Sequence, residues 1–400
     1  MTGRSSAGLG AFYAMARSSG GIWTGGEREL SGAGPALTLP RSIALSRPSR
    51  RMPRDLTTGA APLSPVAIDL RQERLGGLQG LRAIAALGVV LQHAIYYACE
   101  ARGIDYMRYL RIGFGGLGVD LFFVISGFVM AGCLYQGRRF LWNRIIRIYP
   151  GYWLAIVLSG LLLAGTQPNW SLTLSSLPLI PAVPLNIGYH IPYWTLVYEM
   201  GFYVLVAAMV VLRFSAAAMQ RFCVVWLLAI AAVSRYNDID IAQPGLWLWL
   251  APHNVFFVTG MLLGLVYRHV SRLPSLPLAL TAVILCTLGE ILYGMSHAGA
   301  FMTMAPGLAA VVLLGIRHLR WRWLEHMGDA SYGIYLSHAF IMVLCIHLLD
   351  RHAPGLSLYA LFSLAMLAAV IGSALFGWCE FRLHRSLKRI GRGRRERTKS

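Results

Sequence analysis

The chain has 400 residues, 56% of them hydrophobic and only 13% charged, with a formal net charge of +19. Mean hydropathy is +0.56, and because a soluble domain carries about 25% charged residues, an ordinary soluble fold is excluded. The positive charge sits in the tails and in alternate loops, which is a topology signal and not the footprint of a nucleic-acid binder.

Residues 1–75 are rich in Gly, Ser, Pro and Arg and lack sustained periodicity. They hold no apolar run long enough for a signal peptide or a span. The expectation is a disordered, basic cytoplasmic tail, with Met52 as an alternative start. From about residue 80, apolar stretches recur that are long enough to cross a hydrocarbon core of about 30 Å. Ten spans are expected, at about 80–99, 115–135, 149–166, 192–212, 222–236, 247–267, 276–294, 299–316, 330–349 and 357–379. The fold class is therefore all-α, a polytopic membrane domain over 76–381 followed by a basic cytoplasmic tail over 382–400.

Basic loops follow the even-numbered spans. Arg138, Arg139, Arg144 and Arg147 follow the second, Arg213 and Arg221 the fourth, Arg268 and Arg272 the sixth. Arg317, Arg320 and Arg322 follow the eighth, and the last span leads into a run of arginines and lysines. The excess of basic residues on one side places both termini in the cytoplasm. The six cysteines are scattered through or beside apolar spans with no Cys-x-x-Cys pair. They read as small apolar filler, with no disulfide framework and no metal site.

The first span carries Arg82 and His93, eleven positions apart and so on one helix stripe, roughly 16 Å from each other. Ionisable groups at that depth are candidates for function, weighed against a histidine bonded inside a bundle. The second span opens on Gly115-Gly-Leu-Gly-Val-Asp120 and reaches Ser126. Ser126 reads as packing, with a Ser–His acyl-enzyme as the alternative, and Asp120 is expected near the outer surface. Arg144 and Arg147 lie one turn apart in the next cytoplasmic segment. They suit the phosphates of a nucleotide-bearing cofactor, or else topology and anionic lipid head groups.

Glu199, in Trp194-Thr-Leu-Val-Tyr-Glu199, is expected roughly 10 Å below the outer surface, close to the depth of His93. A carboxylate beside an imidazole orients it and raises its basicity, as a general base requires. Glu290 is a lone acid in the seventh span. In the ninth span Ser331, Tyr335 and His338 share a face and could line a cofactor path.

Together these segments resemble the membrane acyltransferase 3 family. The resemblance is carried by Gly80-Leu-Arg82-Ala-Ile-Ala-Ala through His93, Gly118-Val-Asp-Leu-Phe-Phe-Val-Ile-Ser-Gly-Phe128, Arg144-Ile-Ile-Arg147-Ile-Tyr-Pro150, Trp194 through Glu199 and Ser331 through His338, in family order across about 78–380. The wording at Phe140-Leu-Trp-Asn-Arg144 and Tyr198-Glu-Met-Gly-Phe-Tyr203 is similar to the exopolysaccharide-production branch. The resemblance implies transfer of an acyl group, often acetyl, from cytosolic acyl-CoA to an extracytoplasmic glycan. It implies that His93 is the catalytic base, Arg82 its helix partner and Glu199 an essential carboxylate. Arg144 and Arg147 would belong to the acyl-CoA site, with Tyr335 and His338 near it. The family's C-terminal Glu-x-Pro is replaced by Cys379-Glu-Phe-Arg-Leu-His384. The expected partners are acyl-CoA, a glycan or lipid-linked saccharide, and membrane lipid. Two other classes compete: a proton-coupled transporter using His93 and Glu199 as a relay, and a structural subunit of polysaccharide assembly.

Overall fold

In lipid a spanning segment can satisfy its backbone internally only as a helix or within a closed barrel. The apolar runs take the first course. The computed structural model describes residues 76–110, 113–137, 139–166, 170, 174–180, 190–236, 245–293 and 295–397, so the tail expected over 1–75 lies outside the described residues. Ten α-helices occur among the described residues: α1 Gly76–Ala101, α2 Phe114–Cys133, α3 Arg139–Leu163, α4 Tyr193–Val211, α5 Ala216–Ser234, α6 Asn254–Val270, α7 Ser275–Tyr293, α8 His297–His318, α9 Arg322–His352 and α10 Leu358–Arg397. Nine are long and apolar enough to cross a membrane, and α6 is the short one. The chain is a multi-pass membrane protein.

Three boundaries depart from expectation. The third helix starts at Arg139, well before 149. Its basic first turns are tolerated because they face protein: Arg144 Nη2 donates to Cys133 Sγ at 2.8 Å and Arg147 Nη1 to Glu380 Oε1 at 2.8 Å. The sixth span does not begin at 247. Gly245–Leu250 form a 3₁₀ turn, and the α-helix starts only at Asn254. Pro252 lacks an amide donor and disfavours helix in the residue before it, while Asn254 Nδ2 donates to Leu248 O at 2.6 Å and fixes the break. Finally, α10 runs 40 residues, about 60 Å, or twice the hydrocarbon core. The boundary expected at 381 falls inside this helix.

Burial sorts the helices into layers. α2, α8 and α9 are two-thirds or more buried along their apolar windows, whereas α5, α7 and α10 are about one-fifth buried. The outer helices present apolar side chains such as Val225, Leu228, Val283, Ile284, Leu367 and Ile371, as lipid-facing surfaces do. Inside, α2 and α6 meet at backbone distance. A Cβ on Gly127 would collide with the Phe257 carbonyl, and one on Gly260 with the Val124 carbonyl. Such small-residue contacts drive helix association where lipid supplies no hydrophobic force. α1 is locked to α2 by Gln92, 3% exposed, whose Oε1 accepts from Gly115 N at 2.6 Å. That bond satisfies an amide of the first turn of α2, whose own cap residue makes no side-chain bond. At the other end of α1, Arg102 ties the loop to α9 and to the turn before α10 through Asp350 Oδ1 at 2.7 Å and Leu356 O at 3.2 Å.

Candidate active site

A cavity of about 120 Å³ lies between α1, α2, α3, α4 and α9. Arg82, Arg144 and Arg147 line it together with Glu199, Tyr203 and Tyr335. Each comes from a different turn of an otherwise apolar helix, so burial alone would leave these charges stranded. They are held by one another. Glu199 Oε1 accepts from Ser126 Oγ at 3.2 Å and also from the Tyr203 hydroxyl. Arg82 and Arg144 both lie within electrostatic reach of Glu199 and Tyr203. Arg144 also sits 5.4 Å from the Phe140 ring and 5.6 Å from Tyr203, cation over face. Arg147 pairs with Glu380 and lies 4.9 Å over the Tyr332 ring. Three arginines and one carboxylate line the cavity, with Glu380 paired to Arg147 and Asp329 within electrostatic reach of Arg82, so the lining itself is rich in guanidinium donors for an anionic guest. Ser331 Oγ and Arg144 Nε are buried without a hydrogen-bond partner. Both keep capacity to bond such a guest.

The histidines lie outside this cavity. Tyr335 lines its wall and donates to Thr195 Oγ1 at 3.1 Å. The His338 ring follows at 6.0 Å from Tyr335, and His93 at 4.9 Å edge-on to His338. His93 Nδ1 is 2.9 Å from Val89 O and His338 Nδ1 is 3.2 Å from Ile334 O. A carbonyl only accepts, so Nδ1 carries the hydrogen in each ring and Nε2 is the basic atom. His338 is wholly buried, while His93 is partly exposed.

One expectation is corrected. Glu199 is not level with His93 and does not orient it. It lies with Arg82, and the eleven residues from Arg82 to His93 span roughly 16 Å of helix. The cause is where α4 begins. The His190 ring, three residues before α4, stands 6.4 Å from Tyr97, one turn beyond His93. Glu199, six residues into α4, is therefore roughly 9 Å deeper still. His93 is oriented by Val89 and packed by His338 and Tyr97. Asp120 is near the start of α2, as expected, but solvent does not reach it. It is 1% exposed and is not among the cavity-lining residues. Its charge is felt at Cys286 of α7.

Of the residues read from the sequence, Arg82, Arg144, Arg147, Glu199 and Tyr335 meet in one cavity, and His93 and His338 form a pair beside it. Ser126, read as packing, bonds Glu199. Tyr203 and Glu380 were not singled out. Tyr203 had a signal, lying one turn after Glu199. Glu380 had a weaker one, as the single acid between Arg351 and the basic C-terminal run. Among the described residues no cluster of His, Cys, Asp and Glu could hold a metal ion.

The exopolysaccharide production protein ExoZ of Rhizobium meliloti (strain 1021) is 31% identical over 331 residues, covering 75% of this chain and 96% of ExoZ. The acyltransferase MdmB of Streptomyces mycarofaciens is 26% identical over 313 residues, covering 68% of this chain and 80% of MdmB. No solved structure matches the chain. A family model described as an acyltransferase domain matches residues 75–378, which takes in all five motifs and nine of the ten helices in full. The chain belongs to the membrane acyltransferase 3 family and is a membrane acyltransferase.

Proposed function

We propose that this acyltransferase moves an acetyl group from cytosolic acetyl-CoA to a hydroxyl of an extracytoplasmic glycan, as a lipid-linked repeat unit or an exopolysaccharide. One observation carries the reading. An arginine-lined cavity opens among residues that follow the basic, cytoplasmic segment, and a chain of side chains joins it to a partly exposed histidine nearer the opposite face. A cavity of about 150 Å³ accepts benzene. One of about 120 Å³ takes an acyl-thioester end and leaves the nucleotide nearer the cytoplasm. Arg144 and Arg147 suit the anionic part of the donor.

The chemistry is a single displacement at the thioester carbonyl. His93 Nε2 removes the proton of the acceptor hydroxyl, the oxygen bonds to the carbonyl carbon, and the carbon–sulfur bond breaks. The CoA thiolate leaves and takes up a proton, so atoms and charge balance. His338, edge-on to His93, limits its ring to one orientation. Glu199 acts on the donor side by holding Arg82 and Arg144 in place. Membership of an acyltransferase family and the arginine-lined cavity favour this reading over proton-coupled transport.

The test uses inside-out membrane vesicles supplied with radiolabelled acetyl-CoA. Label should reach a glycan fraction, be released by mild base as an O-acetyl ester, and vanish with His93→Ala at matched protein level. Label transfer that is the same with and without the protein would remove the proposal.

A further inference from the structure

The outer side of His93 is walled by rings that the donor site does not use. Tyr97 lies 6.0 Å from His93 by ring centroid, and His190 lies 6.4 Å from Tyr97. Tyr96 meets Tyr97 at 5.3 Å and Tyr106 at 5.2 Å, both edge-on. The cluster draws on three separate segments: the last turns of α1, the turn Tyr106–Arg108, and the entry to α4. All three lie at the end of the bundle opposite Arg139. Tyr96, Tyr97, Tyr106 and His190 are each only partly buried, unlike the core aromatics Tyr152, Tyr193 and Tyr198, which are at most 1% exposed.

Two further facts separate this cluster from ordinary packing. His190 has φ 51, a left-handed conformation that costs a non-glycine residue free energy and persists where the surroundings impose it. The rim is also anchored: Arg102 fixes the loop after α1 to Asp350 and Leu356. Asp105 Oδ1 accepts from Met107 N at 3.0 Å and sets the turn that carries Tyr106. The rings are thus held in place, each with part of its surface exposed.

We infer that Tyr97, Tyr96, Tyr106 and His190 form the acceptor subsite, and that its ligand is a neutral saccharide. The inference rests on the acyl-transfer reading above and deepens it by naming the residues that receive the sugar. The chemistry that selects a sugar is on the page. A pyranose offers an apolar C–H face, which packs on an aromatic ring, and an edge of hydroxyls. Tyrosine supplies a rigid apolar body with a polar tip, and it orders few rotatable bonds on binding. Tyr97 lies beside His93, so a sugar stacked there holds a hydroxyl near Nε2. A charged sugar is not favoured, because the exposed charges at this rim are mixed in sign, with Glu100 and Asp105 against Arg108, and Arg102 is already committed to Asp350.

The experiment measures saccharide binding apart from turnover. Purified protein in detergent is titrated with cellotetraose and with β-1,4-galactotetraose, and saturation-transfer NMR reads contact between protein rings and sugar C–H groups. Wild type should transfer saturation to at least one of the two. Tyr97→Leu should weaken that binding about tenfold, as loss of one ring contact does, and Tyr97→Phe should retain it. Tyr106→Leu, in a loop turn rather than a helix, reports on the same subsite if Tyr97→Leu fails to fold. Tyr236→Leu, 85% exposed at the end of α5, should change nothing. In acyl transfer, Tyr97→Leu should raise the acceptor KM and leave the half-saturating acetyl-CoA concentration unchanged. Failure of wild type to bind either sugar would overturn the inference, as would undiminished binding by both leucine variants. If sugars bind as expected but no acyl group moves, the subsite stands and the transfer reading falls.

Discussion

Glu380→Ala should destabilise the folded protein more than any other single loss of a carboxylate in it. Glu380 is 2% exposed and Arg147 18% exposed, with Nη1 and Oε1 2.8 Å apart. At an effective dielectric of about 20 and a charge separation of about 4 Å, their attraction is about 4 kcal/mol. Truncating Glu380 forfeits this and strands the guanidinium over the Tyr332 ring. Breaking a buried pair in this way costs roughly 3–5 kcal/mol. Glu380→Gln keeps an acceptor for Arg147 and should cost about half as much, since hydrogen bonds to charged groups are roughly twice as strong as neutral ones. The assay is equilibrium unfolding in mixed micelles, run as a double-mutant cycle with Arg147→Met. A coupling of at least about 2 kcal/mol is expected. If the two single effects add to within about 0.5 kcal/mol, the pair contributes no coupling and the argument from burial is refuted.

Other expectations follow from the same geometry. Glu199→Gln should lower acyl transfer without moving its pH profile, because Glu199 steadies Arg82 and Arg144 rather than His93; a shifted profile would return it to the imidazole. His93→Ala should cost about 10²–10⁴-fold in rate, whereas His338→Ala should lower kcat by about tenfold and leave half-saturating acetyl-CoA unchanged, consistent with a positioning residue. Gly260→Val should drive a side chain into the Val124 carbonyl and reduce folded yield in detergent; wild-type yield would mean that α2 and α6 do not touch as described. Burial holds the His190 imidazole below its ordinary pKa, so the unfolded chain binds its proton first. Stability should be level above about pH 6.5 and fall below it, and His190→Gln should flatten that fall, as thermal unfolding across pH would report.

Helix number and type were legible because the bilayer restricts the choices: recurring apolar length specifies how many long helices the chain forms. Arg82 and Glu199 were legible for a related reason, since charges inside apolar helices are costly and therefore noticeable, while Arg144 and Arg147 stood out as a basic pair one turn apart and Tyr335 by its spacing from Ser331 and His338. Depth was less legible. It was counted from an assumed outer boundary, whereas His190, just before α4, already lies beside Tyr97. Azimuth was not legible at all. Whether Glu199 meets α1 or α2 depends on which helices become neighbours, and the pairing with Ser126 shows the answer only in three dimensions. Glu380 was hidden because the basic run beside it reads as a tail, although its helix continues to Arg397.

The hydrogen bond from Tyr335 to Thr195 also bears on permeability. An enzyme that receives one substrate from each side of a bilayer would, if its two openings met, be a pore that drains the proton gradient. Between the arginine-lined cavity and His93 stand the Tyr335 ring, packed 5.6 Å from Phe122, and the wholly buried His338. With the hydroxyl tied to Thr195, the ring stands across the route between them until the thioester passes it, and dry apolar matter is an effective insulator against ions. Tyr335→Ala should therefore turn a tight membrane protein into a slow leak. Proteoliposomes holding a pH-sensitive dye would register that leak as faster collapse of an imposed gradient than with wild type, and an equally slow collapse would locate the seal elsewhere.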